Sequence, residues 1–177
     1  MGDVEYVRHW YHIPQIVHYV KFINIMAYNY SAEIEFVDSY ERKFHAPINK
    51  VKSTIEYWLY SGAPAEKLNL GIALIGRIFT KIGPPRHETF VYLRVVENLG
   101  KHDGKYTFNT DLGASQVFFP DEYKAFYESE QGVQMKVDFA KQKELGGVMI
   151  WTLDNDISFK PFYPLFSLIF RMFDKGF

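Results

Sequence analysis

The sequence predicts an α/β fold built on a small parallel sheet, and three observations carry that prediction. Three short apolar runs, Phe22 to Tyr28, Leu68 to Ile75 and Val148 to Trp151, have the length of strands. The segments between and after them have helical spacing, so strand and helix alternate along the chain. The last run is preceded by Gly146-Gly147 and followed by Thr152-Leu153-Asp154-Asn155-Asp156. That is a strand opening into a polar loop, the end at which parallel sheets hold their ligands.

Each element follows in order. Pro14 suits the first turn of a helix running through Tyr19. The strand Phe22 to Tyr28 leads into a loop that ends at His45-Ala46-Pro47. Asn49 is the expected N-cap of a helix carrying Val51, Ile55, Trp58 and Leu59 on one face. Gly62 and Pro64 stop it. The strand Leu68 to Ile75 contains Gly71 and ends in Gly76-Arg77. From Phe79 to Ser129 the pattern changes: Pro84-Pro85 is a break, and strand-like runs such as Tyr106 to Asn109 and Gln116 to Phe119 sit between polar turns. This stretch reads as an inserted α+β lobe. Helical spacing returns with Val133, Val137 and Ala140. Gly146 and Gly147 are expected to turn the chain out of that helix through left-handed backbone. Val148, Met149 and Ile150 lack alternation, as in a strand covered on both faces. A last helix begins near Pro161 and packs on the sheet. Three parallel strands of this kind form an open sheet with exposed edges, not a closed barrel.

Composition narrows the function classes. The chain has 177 residues, 47% hydrophobic and 18% aromatic, enough for one domain with a core and incompatible with a disordered chain. Heavy aromatic usage suits a carbohydrate-facing or strongly packed protein. The net charge of -1 provides no field for nucleic acid or an anionic membrane. There is no cysteine, hence no disulfide framework, thiol nucleophile or cysteine-based zinc site. Met1 to Trp10 lack the apolar run of a signal peptide, and the apolar stretch Tyr163 to Phe173 is shorter than the about 20 residues that span a bilayer. His9, His12 and His18 do not share a helical face, so no metal site is expected. Glu128 and Glu130, two apart, would point away from each other on a helix. No phosphate-binding loop or nucleophile elbow is present, and no cofactor is implied.

Phe22-Ile23-Asn24-Ile25-Met26-Ala27-Tyr28-Asn29, the segment Glu66 to Arg77, and Gly146 to Asp156 together resemble family 18 glycoside hydrolases. That family comprises chitinases and inactive chitinase-like lectins on a (β/α)8 barrel. The segments correspond in order to its sixth, seventh and eighth strands. Residues 79–129 stand where the family carries its chitinase insertion domain, and Lys136-Val137-Asp138 fits the helix before the last strand. The resemblance implies a partial TIM barrel, its last three βα units, formed by residues 1–78 and 130–177 with the lobe 79–129 inserted. It covers nearly the whole chain and the carboxyl-terminal half of the family's barrel only.

The family's general acid lies in an Asp-Gly-x-Asp-x-Asp-x-Glu motif on the fourth strand. Nothing in this chain matches it: Asp103-Gly104 is followed by Lys105-Tyr106-Thr107. In the family the sugar's own N-acetyl oxygen attacks the anomeric carbon, and a protonated Glu protonates the leaving oxygen. General acid catalysis of that kind contributes roughly 10²–10⁴-fold. The resemblance therefore implies no catalytic acid here.

Site residues carry over one by one. Tyr28 falls on the tyrosine of the family's Met-x-Tyr-Asp motif, which orients the reacting acetamide. Met26 lines the floor of the same subsite, or is a core methionine. Asn29 replaces the motif's aspartate, and Asn29-Tyr30-Ser31 is a chance glycosylation sequon. Trp151 falls on the tryptophan beneath the central sugar, whose apolar axial C–H face stacks on a flat ring. Arg77 matches the arginine of Tyr-Gly-Arg, with Ile75 in place of the tyrosine. Tyr92-Leu93-Arg94 stands where the family has Tyr-Tyr-Glu, and Asp154 and Asp156 take structural hydrogen-bonding roles.

Three functional expectations follow. The first is a truncated or degenerate chitinase-type hydrolase without independent activity. The second is a chitin- or chitooligosaccharide-binding, lectin-like module using Trp151, Tyr28 and Arg77. The third is a half-barrel that takes its missing strands from a partner chain or self-associates. Family resemblance implies an extracellular location.

Overall fold

The computed structural model describes residues 4–30, 44–80, 87–91, 104–119, 123–156 and 163–174. Its helices are α1 (Val4–Trp10), α2 (Ile13–Tyr19), α3 (Ile48–Tyr60), α4 (Glu130–Gln142) and α5 (Pro164–Asp174). Its strands are β1 (Ile23–Ile25), β2 (Leu68–Ala73), β3 (Ile75–Thr80), β4 (His87–Val91), β5 (Lys105–Asn109), β6 (Ala114–Phe118), β7 (Tyr123–Tyr127) and β8 (Gly147–Trp151).

β2 is the centre of the first sheet. It pairs in parallel with β1 (Ile23 opposite Leu68) and with β8 (Leu70 opposite Val148, Ala73 opposite Trp151), giving the order β1-β2-β8. Flanked on both edges and covered on both faces, Leu68, Leu70, Ile72 and Ala73 are at most 1% exposed. The second sheet is antiparallel, in the order β4-β3-β7-β6-β5. The two meet at Leu74, whose N–H donates to the Trp151 carbonyl while the next residue opens β3. The apolar run Leu68 to Ile75 is thus broken at Leu74, two residues of it falling outside β2, and β3 carries Gly76 and Arg77 into the second sheet.

Helices close the core because their apolar faces match it. Val51 and Ile55 of α3, Val133, Val137 and Ala140 of α4, and Leu165 and Ile169 of α5 join β2 in one cluster. Burying a side chain of this size contributes about 1.5–3 kcal/mol. The helix predicted around Val133 is α4, started by Ser129, whose hydroxyl accepts from the Gly132 N–H. α5 packs chiefly against α4, shares one core cluster with the sheet through Leu165 and Ile169, and starts at Pro164. Asp156 caps it, accepting from the N–H groups of Leu165 (3.4 Å) and Phe166 (2.8 Å), the structural role expected of that residue. Among the described residues no helix is long and apolar enough to cross a membrane.

Several local expectations change. The first strand does not run from Phe22 to Tyr28. The Ala27 N–H donates to the Ile25 carbonyl at 2.8 Å, a three-residue turn that ends the ladder at Ile25. α3 starts two residues earlier than expected: Pro47, not Asn49, is its N-cap, and the Asn49 side chain accepts from the Lys50 N–H inside the first turn. Gly62, at φ +92°, does end α3 in left-handed backbone. Gly146 and Gly147 do not; the left-handed residue after α4 is Glu144, at φ +51°. Gly146 is needed for close approach instead, since a Cβ there would lie 2.2 Å from the Glu66 carbonyl oxygen. β8 is partly buried along Gly147 to Ile150: Val148, Met149 and Ile150, on alternate faces, all pack against the core, and β2 is its one strand neighbour among the described residues. Pro84-Pro85, Tyr92-Leu93-Arg94, Ser31, Asp103 and Pro161 lie outside the described residues.

Candidate functional site

The carboxyl ends of β1, β2 and β8 lie side by side, and the predicted site residues sit there. The turn after β1 puts Met26 outward, 45% exposed, and sends Ala27 and Tyr28 inward. The Tyr28 ring lies against Gly71 of β2. A Cβ at Gly71 would come within 3.0 Å of the ring, 2.4 Å of the Ile25 carbonyl oxygen and 3.1 Å of the Met149 methyl. Glycine at that strand position is what lets the tyrosine reach the sheet. The Tyr28 hydroxyl is enclosed and has no hydrogen-bond partner among the described residues, and burial pushes its pKa up. It is therefore neutral and holds its proton as a donor.

Asn29 follows at φ +64°, left-handed backbone that asparagine tolerates. Its side-chain oxygen accepts from the Arg77 guanidinium. Arginine has donors only, so the Asn29 oxygen must face it and the Asn29 amide N–H groups point elsewhere. Arg77 is buried, and burial lowers its pKa from the ordinary arginine value. β3 holds it in place through register with β7, Gly76 opposite Tyr127 and Arg77 opposite Phe126.

Trp151 closes β8 and is 52% exposed, in contrast to the buried Trp58. Its peptide bond to Thr152 is cis, and the Thr152 hydroxyl donates to Asp154. The site thus combines a solvent-facing indole and methionine with a half-buried amide, backed by an enclosed hydroxyl and guanidinium.

Behind it lies a polar cluster that the sequence reading missed. Glu128, considered in the sequence only for its spacing from Glu130, is 2% exposed, and Lys136 is 1% exposed. The Lys136 ammonium donates to both Glu128 carboxylate oxygens at 2.8 Å. Burial holds the Glu128 carboxyl above the usual carboxylate range despite that cation. The readable signal was Lys136 itself, which shares the apolar stripe of Val133, Val137 and Ala140 where a solvated lysine would not sit. His45 is also buried, and its Nδ1 has no partner among the described residues. Burial, then the Lys136 and Arg77 charges, lower its pKa to about 3 against a weak opposing hydrogen bond to the Ile75 backbone. It is a neutral imidazole between two cations. His9, His12 and His18 are exposed, and no three metal-ligating side chains converge among the described residues.

The description "Glycosyl hydrolases family 18" fits residues 2–156 of this sequence. The chain belongs to that family. A family 18 relative, "Probable chitinase 2" of Drosophila melanogaster, is 30% identical over 174 residues, covering 82% of this chain and 36% of its own length. Among solved structures, human YKL-39, a pseudo-chitinase with retained chitooligosaccharide binding, superposes with a TM-score of 0.81 at 21% identity. The overlap covers 95% of this chain and 54% of that one. A plant class V chitinase mutant from Cycas revoluta in complex with (GlcNAc)3 gives a TM-score of 0.74 at 25% identity, over 92% of this chain and 49% of its own. The family 18 chain spans about a third of the curated relative's length and about half of each structure's. Its parallel sheet is accordingly part of a TIM barrel.

Proposed function

We propose that this chain binds chitooligosaccharides at the strand ends and does not hydrolyse them. The observation that carries the reading is Trp151, 52% exposed at the carboxyl end of β8, with Ala73 beside it in register. An indole face open to solvent matches the apolar C–H face of a pyranose, and Met26 extends the apolar surface. Asn29 offers its amide N–H groups to a sugar oxygen, and Arg77 holds that amide in place. Tyr28 supplies a neutral donor once a ligand or a small ring movement opens its hydroxyl. Bound chitooligosaccharide in a related chitinase and retained binding in a pseudo-chitinase support the assignment.

The absence of hydrolysis rests on chemistry. The sequence holds no Asp-Gly-x-Asp-x-Asp-x-Glu motif, so no carboxylic acid is in place to protonate a leaving glycosidic oxygen. We assign residues 1–78 and 130–177 to the barrel part and 79–129 to the insertion lobe, with β3 entering the lobe from Ile75. An extracellular site of action goes with a chitin ligand.

The test pairs calorimetric titration with (GlcNAc)4 against a fluorogenic chitobioside assay on the same preparation. Saturable heat without fluorophore release supports the proposal; release above the buffer rate refutes the missing-acid argument. A second reading, that further βα units complete the sheet, is favoured by β8, which has β2 as its one strand neighbour among the described residues and leaves Val148, Met149 and Ile150 only partly buried. Light scattering that shows a monomer with unchanged stability on dilution counts against self-association as the way those strands are covered.

A further inference from the structure

The Glu128–Lys136 pair lies where the two sheets are joined, and the sugar-binding reading gives it no part. Glu128 directly follows β7, and its N–H donates to the Ile75 carbonyl at 3.1 Å, at the start of β3. Its carboxylate is held by Lys136, which projects from α4, the helix packed on β2 and β8. The pair therefore bridges the second sheet to the helix that backs the first. The surroundings are shaped to it: a Cβ on Gly132 would lie 2.4 Å from the Glu128 Oε1 and 2.9 Å from the Gly113 carbonyl oxygen. Beside it the Ser115 hydroxyl donates to Ser129 at 2.6 Å, a second tie from β6 to the start of α4.

A desolvated ion pair is poor value for stability alone, since well-packed apolar residues of the same volume are as stable or more so. What such a pair gives instead is one fixed geometry, because two oxygens and one ammonium meet in a single arrangement whereas apolar side chains slide. The strand fixed here is β7, and β7 sets the register of β3 through Gly76 opposite Tyr127 and Arg77 opposite Phe126. Arg77 is the residue that grips Asn29 at the site.

We propose that Glu128 and Lys136 are positioning residues that lock β7 onto α4 and thereby place the Arg77 guanidinium against Asn29. The role in sugar affinity rests on the binding reading above; the placement of Arg77 does not.

The experiment removes both charges together, in Glu128→Leu/Lys136→Met, so that neither is left buried alone. The chain's thermal midpoint, the exchange protection of the Arg77 guanidinium N–H signals by NMR, and affinity for (GlcNAc)4 are measured on the same sample. The expected result is a midpoint close to that of the parent, loss of Arg77 protection, and affinity weakened roughly tenfold, the weight of one hydrogen bond to a charged group. A double variant with parental stability, parental Arg77 protection and parental affinity overturns the proposal, because the pair is then structural only. If the parent does not bind (GlcNAc)4 while Arg77 protection is lost in the variant, the binding reading falls and the positioning role stands. Should the double variant fail to fold, Glu128→Gln/Lys136→Met, closer in shape, is read against the same Arg77 criterion.

Discussion

Lowering the pH from 7.5 to 5 should weaken the fold through His45. The imidazole is 3% exposed, and its pKa is lowered to about 3 by burial and by the Lys136 and Arg77 charges. In the unfolded chain it titrates near the usual value of about 6.5. Between these values the unfolded state binds a proton that the folded state refuses. The neutral-His contribution is therefore fully present above pH 6.5 and is lost progressively as pH falls toward 3. At about 1.4 kcal/mol per unit of pKa difference, the loss between pH 7.5 and pH 5 amounts to about 2 kcal/mol. That is a large part of a typical stability of roughly 5–15 kcal/mol, and corresponds to a midpoint drop of roughly 4–8 °C for a chain of this size. The raised carboxyl of Glu128 acts in the opposite sense, since protonating it costs the folded state less. Urea unfolding across this pH range, on the parent and on His45→Gln, isolates the His45 share as the difference in slope. Equal slopes in the two proteins would refute the reasoning.

Three further outcomes follow from the packing. Gly71→Ala drives a methyl to 2.4 Å from the Ile25 carbonyl oxygen and against the Tyr28 ring, so urea unfolding should show a loss of about 1–3 kcal/mol. The Tyr28 absorbance should also shift as the ring is displaced. Asp156→Ala removes the side-chain acceptor of the first turn of α5, and the same assay should read a loss of about 1–2 kcal/mol, with Asp156→Asn recovering most of it. Trp151→Ala, at a half-exposed position, should change stability by no more than about 1 kcal/mol while abolishing saturable heat with (GlcNAc)4.

The three parallel strands were legible because β-strands in a parallel sheet leave short unalternating apolar runs, and Phe22 to Tyr28, Leu68 to Ile75 and Val148 to Trp151 all hold strands. Where those strands stop was less legible. The turn at Met26 and the switch of sheets at Leu74 are set by single backbone hydrogen bonds, Ala27 to Ile25 and Leu74 to Trp151, that no residue type announces. Gly146 stood out correctly as a glycine the fold requires, but the requirement is the nearby Glu66 carbonyl, a tertiary contact, and not a left-handed turn. The candidate site residues came from the motifs alone, and the structure adds what a motif lacks: Trp151 and Met26 are open, while Tyr28 and Arg77 are closed in. Glu128 was invisible for a physical reason. Its partner is eight positions away across a strand end and a helix start, so neither helical nor strand periodicity pairs them.

The central claim is that Trp151 is a sugar platform, and its own fluorescence tests that most directly. Trp58 is buried and Trp10 is 73% exposed, so a Trp10→Phe background leaves Trp151 as the one solvent-facing indole. Titration with (GlcNAc)4 should then give a saturable blue shift that disappears in Trp10→Phe/Trp151→Phe. A spectrum that stays unchanged to millimolar ligand, or a shift that survives loss of Trp151, contradicts the account.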